Sequence, residues 1–203
     1  MRFALRILVC VLALAAIGGC TNEPAVFNGT TAEAEAKVYV PEGPPKLTVF
    51  TMINNRTGAG GHSALLVSGS QQVLFDPAGS FAHPAIPERG DVHYGMTPAW
   101  VQRYKGAHAR NTHHVVTQEF VVTPGQAEQA LQLVQSKGSV ASSFCANATS
   151  GILRQIDGFG DIDQTFYPKR LMAQLNTRPG VSTDRYYEDD DGNIRDGVAA
   201  LQR

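Results

Sequence analysis

The 203-residue chain predicts an α+β fold, a small antiparallel sheet packed against two or three helices. Three observations carry that reading. Runs rich in β-branched and aromatic residues fill 47–76 and recur at 114–122, with turn residues between them. A segment with cap residues and 3.6-type apolar spacing begins at Thr123. Two more helical patterns follow, after Ser142 and from Pro168.

In chain order, Leu47–Ile53 (LTVFTMI) reads as a strand, and Asn54–Gly61 (NNRTGAGG) as a glycine-rich loop. His62–Ser68 and Gln71–Asp76 read as two strands of a hairpin around Ser68-Gly69-Ser70. The stretch Pro77–Ala107 is rich in Gly, Pro and His. It is expected to wrap the surface, with a short helix around Pro98–Tyr104. His114–Val122 is a further strand. Thr123 then reads as an N-cap, Pro124 suits the first helical position, and Gln126 completes a capping box. Ala127, Ala130, Leu131 and Val134 form the apolar stripe, and Gly138 ends the helix. Ser142 or Ser143 is the expected cap of a second helix reaching about Ile156, with Ala148, Ile152 and Ile156 along one face. Pro168–Leu175 predicts a third. Asp184–Arg203 is expected to be loosely ordered.

The N-terminus carries a different message. Arg2 and Arg6 precede an apolar core at Ile7–Ile17, followed by Gly18, Gly19 and Cys20. This predicts a secretory signal, too short to serve as a permanent membrane span. The end, Ile17-Gly18-Gly19-Cys20, resembles the lipobox of bacterial lipoproteins. That resemblance implies a signal over 1–19, cleavage before Cys20 and acylation of Cys20, including a palmitate-type chain. Thr21 after the cysteine implies sorting to the outer membrane, facing the periplasm. Two or three acyl chains give a stable anchor where one binds only marginally. Residues 20–45 then form the acylated end and a flexible tether rich in Thr, Ala, Glu, Gly and Pro. Residues 46–203 make one domain, long enough to bury a core.

Composition narrows the function. Losing Arg2 and Arg6 leaves 15 of 17 basic residues against 18 acidic ones, a net charge of −3. No basic stripe suited to nucleic acid is present. The five histidines beyond His62 (His83, His93, His108, His113 and His114) match no standard metal-ligand spacing, so neither a metal nor a cofactor is expected. Asp189–Asn193 lacks the closing Glu of a calcium loop and reads as a solvated acidic turn. Oligomeric state is not legible.

Chemistry concentrates in three residues: Cys145, His62 and Asp76. With Cys10 and Cys20 in the signal and lipobox, Cys145 is the one free thiol of a secreted chain, and an unpaired thiol there is a candidate reactive group. Its expected place near a helix start favours the thiolate and supplies N–H donors for an oxyanion. Pairing the hairpin about Gly69 sets His62 opposite Asp76, within reach of an imidazole–carboxylate bond. A nucleophile, a base and a group that orients the base form the logic of covalent acyl transfer. Each residue also has a plainer reading: a small buried hydrophobe, a surface histidine, a turn-opening aspartate.

The run Gly60–Phe81 (GGHSALLVSGSQQVLFDPAGSF), with Phe75-Asp76-Pro77, resembles the His/Asp half of papain-like cysteine hydrolases. Ser142–Leu153 (SSFCANATSGIL) resembles their Cys-bearing helix start. His and Asp precede Cys here, as in the circularly permuted branch that includes relatives of NlpC-type peptidoglycan endopeptidases and of lecithin:retinol acyltransferase. The acyltransferase group's Asn-Cys-Glu-His pattern is absent, since Phe144 and Ala146 flank Cys145. The resemblance implies a permuted papain-like fold and a Cys145–His62–Asp76 triad in a thiol protease or related hydrolase. Peptidoglycan peptide or another acyl compound is the expected substrate. A non-catalytic envelope lipoprotein that binds a partner or wall fragment, and a lipid acyltransferase or thioesterase, are the alternatives.

Overall fold

The computed structural model describes residues 29–201. The signal segment, Cys10, the lipidation candidate Cys20 and the first part of the expected tether lie outside the described residues.

Seven antiparallel strands form one sheet: β1 (Lys46–Asn54), β2 (Gly60–Ser68), β3 (Gln72–Phe75), β4 (Glu88–Arg89), β5 (Val92–Tyr94), β6 (His113–Val121) and β7 (Ser182–Tyr186), in the order β4-β5-β3-β2-β1-β6-β7. Among the described residues, six helices accompany it: α1 (Thr31–Ala36), α2 (Pro98–His108), α3 (Pro124–Lys137), α4 (Cys145–Leu153), α5 (Pro168–Asn176) and α6 (Ile194–Leu201). The class is α+β. It is larger than the four strands and the two or three packed helices read from sequence.

Side chains alternate across a strand, so the central strands feed two cores. Leu47 and Val49 of β1, Leu65 and Val67 of β2, and Val73 and Phe75 of β3 pack with α3, α4 and α5. Phe50, Met52, Ala64, Leu66 and Leu74 point the other way and pack with α2 and α6. Both faces of the sheet are therefore buried. This explains why β1 and β2 read as near-continuous apolar runs.

The segment 77–107 does not merely wrap the surface. It supplies β4 and β5, which extend the sheet beyond β3, and it buries Phe81, Ile86 and Met96. These strands are only two and three residues long, too short for period-2 patterning to show. The helix within it runs to His108, four residues past the expected end. The tail is ordered too: β7 pairs with β6, and α6 packs on α2 through Val198. Nor is the later part of the tether free. Thr30 caps α1 with a full capping box, Ala34 is buried in the core, and Gly29 N–H donates to Glu88 O at 2.7 Å. The acidic turn is anchored as well, because Asp190 accepts from Arg110 at 2.8 Å.

Around α3 the sequence reading holds closely. Thr123 and Gln126 form the capping box, Pro124 opens the helix, and the four stripe residues are buried. Among the described residues, no helix is long and apolar enough to cross a membrane.

Candidate active site

The ladder between β2 and β3 pairs Leu65 with Phe75 and Ser68 with Gln72, so facing residues sum to 140 rather than 138. The expected hairpin register is thus off by two, and Asp76 lies just past the end of β3. A slip of two preserves the face on which each side chain points, whereas a slip of one would have reversed it. His62 and Asp76 therefore still share a face. They meet diagonally, with Nε2 of His62 2.6 Å from Oδ1 of Asp76.

Because β3 stops at Phe75, the first residues of β2 pair only with β1. Strand β2 thus presents a free edge next to His62. The N-terminus of α4 docks there. The Cys145 sulfur accepts from the backbone N–H groups of Ser63 and Ala146 and is hydrogen-bonded to the His62 ring. Since a carboxylate only accepts, Nε2 of His62 carries the proton shared with Asp76, and Nδ1 is left to face the sulfur.

The cap differs from expectation. Neither Ser142 nor Ser143 caps α4: Phe144 is the N-cap without a side-chain bond, and Cys145 is the first helical residue. Its own N–H has no acceptor within the helix. Ser143 has φ +71°, and Ala78 and Asp91 are also left-handed at +55° and +63°. Such conformations in non-glycine residues cost of order 1–3 kcal/mol each and persist where surrounding contacts fix them. Asp91 provides those contacts. Its Oδ2 accepts from Ala78 N at 3.0 Å and from Val140 N at 2.8 Å, and its carbonyl accepts from Asp76 N at 2.8 Å. One buried carboxylate thus ties the loop after Asp76 to the loop before Cys145.

Three residues that sequence reasoning left aside complete the centre. The Tyr104 hydroxyl donates to Asp76 Oδ1 at 2.7 Å. His108, one turn on along α2, meets Tyr104 O through Nδ1 at 2.8 Å, and its ring lies parallel to that of His62 with centroids 6.0 Å apart. His93 Nε2 is 3.9 Å from Asp76 Oδ2. His93 and His108 are both buried. The i, i+4 spacing of Tyr104 and His108 was visible in the sequence, but only the docking of α2 shows that this face meets Asp76.

The electrostatics follow from burial and pairing. Burial opposes charge on Asp76, but the charge and hydrogen bond of His62, with His108 and His93 beyond, hold its carboxyl well below the usual range. Burial likewise opposes charge on His62, yet Asp76 and then Cys145 raise it to about 10. For Cys145, burial pushes the thiol up, while the His62 bond and charge and the two backbone N–H groups bring it below its ordinary value. His108 is pushed down to about 4, chiefly by burial against the opposing pull of Asp76. His93 is also lowered by burial. Tyr104 is raised far above the normal phenol range by burial and by Asp76, so it stays a donor. The centre thus shifts the Cys145 thiol towards the thiolate, beside a His62 imidazolium that the Asp76 carboxylate supports.

Cys145 is 6 % exposed, and the His62 side chain 16 %. The residue is enclosed, and its sulfur meets the His62 ring and the N–H groups of Ser63 and Ala146. A surface concavity of about 420 Å³ involves Tyr39, Lys46, Ser68, Gln72 and Lys105 at the opposite end of β2, away from the thiol. No group of three or more His, Cys, Asp or Glu among the described residues could hold a metal ion. The His113 ring lies against Gly61, and His114 bonds Asn55 at 2.7 Å. No protein-family model matches the chain, and no curated protein or solved structure matches it.

Proposed function

We propose that this chain is a lipid-anchored cysteine hydrolase of the bacterial cell envelope, held to the outer membrane through Cys20 and facing the periplasm. The single observation that supports it most is the continuous series Cys145 sulfur, His62 ring and Asp76 carboxylate at a helix N-terminus. The resemblance of Gly60–Phe81 and Ser142–Leu153 to permuted papain-like hydrolases, in the order His, Asp, Cys, supports the same reading.

The mechanism follows from the groups present. The Cys145 thiolate attacks an acyl carbon and forms the S–C bond, while negative charge moves to the carbonyl oxygen. The free N–H at the start of α4 is suited to that oxygen. Collapse breaks the bond to the leaving amine or alcohol, which takes the proton held by His62. Water then attacks the thioester, gives its proton to His62 and releases the acid, and Cys145 is regenerated. Asp76 keeps the imidazole oriented throughout. Peptidoglycan stem peptide is the proposed substrate, and no cofactor enters any step.

The low exposure of Cys145 favours one rival, a non-catalytic envelope protein that binds a partner or wall fragment. A thioesterase or lipid acyltransferase would use the same acyl-enzyme. A thiol-directed acyl probe is expected to label the native protein but not its Cys145→Ala variant. Equal labelling of the two would reject Cys145 as nucleophile. Wall fragments and acyl-thioesters offered to one preparation then separate amide cleavage from lipid chemistry.

A further inference from the structure

Two donors share one oxygen at the centre. Asp76 Oδ1 receives the His62 Nε2–H at 2.6 Å and the Tyr104 hydroxyl at 2.7 Å, while Oδ2, equally buried, has no hydrogen-bond partner among the described residues. Donors on a single acceptor atom compete, because each withdraws charge that would strengthen the other. Tyr104 is fully buried, and its ring packs against Phe50, Phe81 and His108 at centroid distances of 5.5, 5.1 and 4.3 Å. The hydroxyl is thereby held in place from a rigid helix.

We propose that Tyr104 is a positioning residue: by sharing Oδ1 it fixes the Asp76 carboxylate and limits how firmly that oxygen holds the proton on His62. The inference rests on the reading of Cys145 and His62 as nucleophile and base. A base that must also hand its proton to the leaving group works best when its grip is moderate. With Asp76 bound to His62 alone, the imidazolium is over-stabilised and becomes a poor acid. Tyr104 acts against that excess.

Other ionisable groups face the pair: His108 beside Tyr104 on α2, His93 from β5, Glu88 from β4, Asp91 next to β5, and Cys145 from α4. His93 and His108 are held neutral by burial, and neither bonds to Oδ1. Glu88 is pushed up to about 8 by burial and by the charges of Asp76 and Asp91, so its own titration is followed alongside.

The test is a ring-carbon NMR titration of His62 in the full chain, in wild type, in Tyr104→Phe and with 3-fluorotyrosine at position 104. Both replacements keep the ring. The His62 midpoint is expected to rise by about half a pH unit or more in Tyr104→Phe, and to fall with the more acidic fluorophenol. A merely structural phenol would not give opposite signs for these two changes. An unmoved midpoint, or a fall in Tyr104→Phe, overturns the proposal. Should Tyr104→Phe fail to fold, the fluorotyrosine protein decides by itself. Iodoacetate labelling of Cys145 on the same wild-type sample separates the two ideas. Labelling no faster than in the unfolded chain defeats the hydrolase reading, whatever the histidine does.

Discussion

His62 and Asp76 bond at 2.6 Å although the β-ladder pairs neither with the other. Strand β3 ends one residue before Asp76, and the carboxylate reaches diagonally to the ring. That early end also exposes the edge of β2 to which the thiol binds. One short strand therefore creates both halves of the centre: it lets Asp76 turn out of the ladder, and it leaves Ser63 N–H for the Cys145 sulfur.

Removing the base should return the thiol to ordinary behaviour. His62→Gln deletes the hydrogen bond and the positive charge that lower the Cys145 thiol. Alkylation near pH 6 should slow by about tenfold or more, with its midpoint moving up towards about 8.5. A pH–rate profile of iodoacetamide labelling, read by mass spectrometry, checks this. A profile that superimposes on wild type would show that the imidazole does not activate the sulfur.

Gly79 is a second point of control. A Cβ there would lie 1.9 Å from Asp76 Oδ2. Gly79→Ala must push the carboxylate aside, so it should weaken the grip on His62 and cost about 1–3 kcal/mol of stability. Gly125→Ala is the comparison, since its nearest neighbour would be 4.0 Å away, at the start of α3. It should be neutral or slightly stabilising. Thermal melts and labelling rates for both variants test the contrast; equal effects would contradict the crowding at Gly79.

Asp91 should behave as a strut rather than a participant. Asp91→Ala removes the acceptor for Ala78 N and Val140 N at once. Two partly buried N–H groups lose their acceptor, at about 1 kcal/mol each. The expected result is a fall in melting temperature of at least several degrees together with slower labelling of Cys145. Full stability in Asp91→Ala would mean that the two loops are held by other means.

Acid should destabilise the protein through His108. Its folded value of about 4 lies below the ordinary 6.5, so the unfolded chain takes up a proton first. Stability that is full above pH 6.5 is then lost as pH falls towards 4, by up to about 3 kcal/mol. His93 adds in the same direction. Urea titrations at pH 7 and pH 4.5 should show a smaller loss for His108→Gln than for wild type. An equal loss in both would place the acid sensitivity elsewhere.

Much was legible without coordinates. The core strands declared themselves by β-branched and aromatic runs, and α3 by its caps and stripe, because these signals are local. Cys145 and His62 stood out by chemistry: one remaining thiol, and a histidine and aspartate flanking a hairpin. What was missed was of another kind. Strands β4 and β5 are too short for periodicity to register, and α1 looked like tether because its single buried anchor, Ala34, is unremarkable as a residue. Tyr104, His93 and His108 looked like ordinary aromatic and surface residues.

By itself the sequence determined the central strands and α3, and it singled out Cys145, His62 and Asp76 as candidates, since propensity, capping and thiol count act over a few residues. Only the tertiary structure decided that α4 docks at the open edge of β2 while α2 brings Tyr104 and His108 to the opposite face. It also set the two-residue shift that turns a facing pair into a diagonal one. Those outcomes depend on where a strand stops and on how two cores pack across one sheet, and both are settled by contacts between residues far apart in the chain.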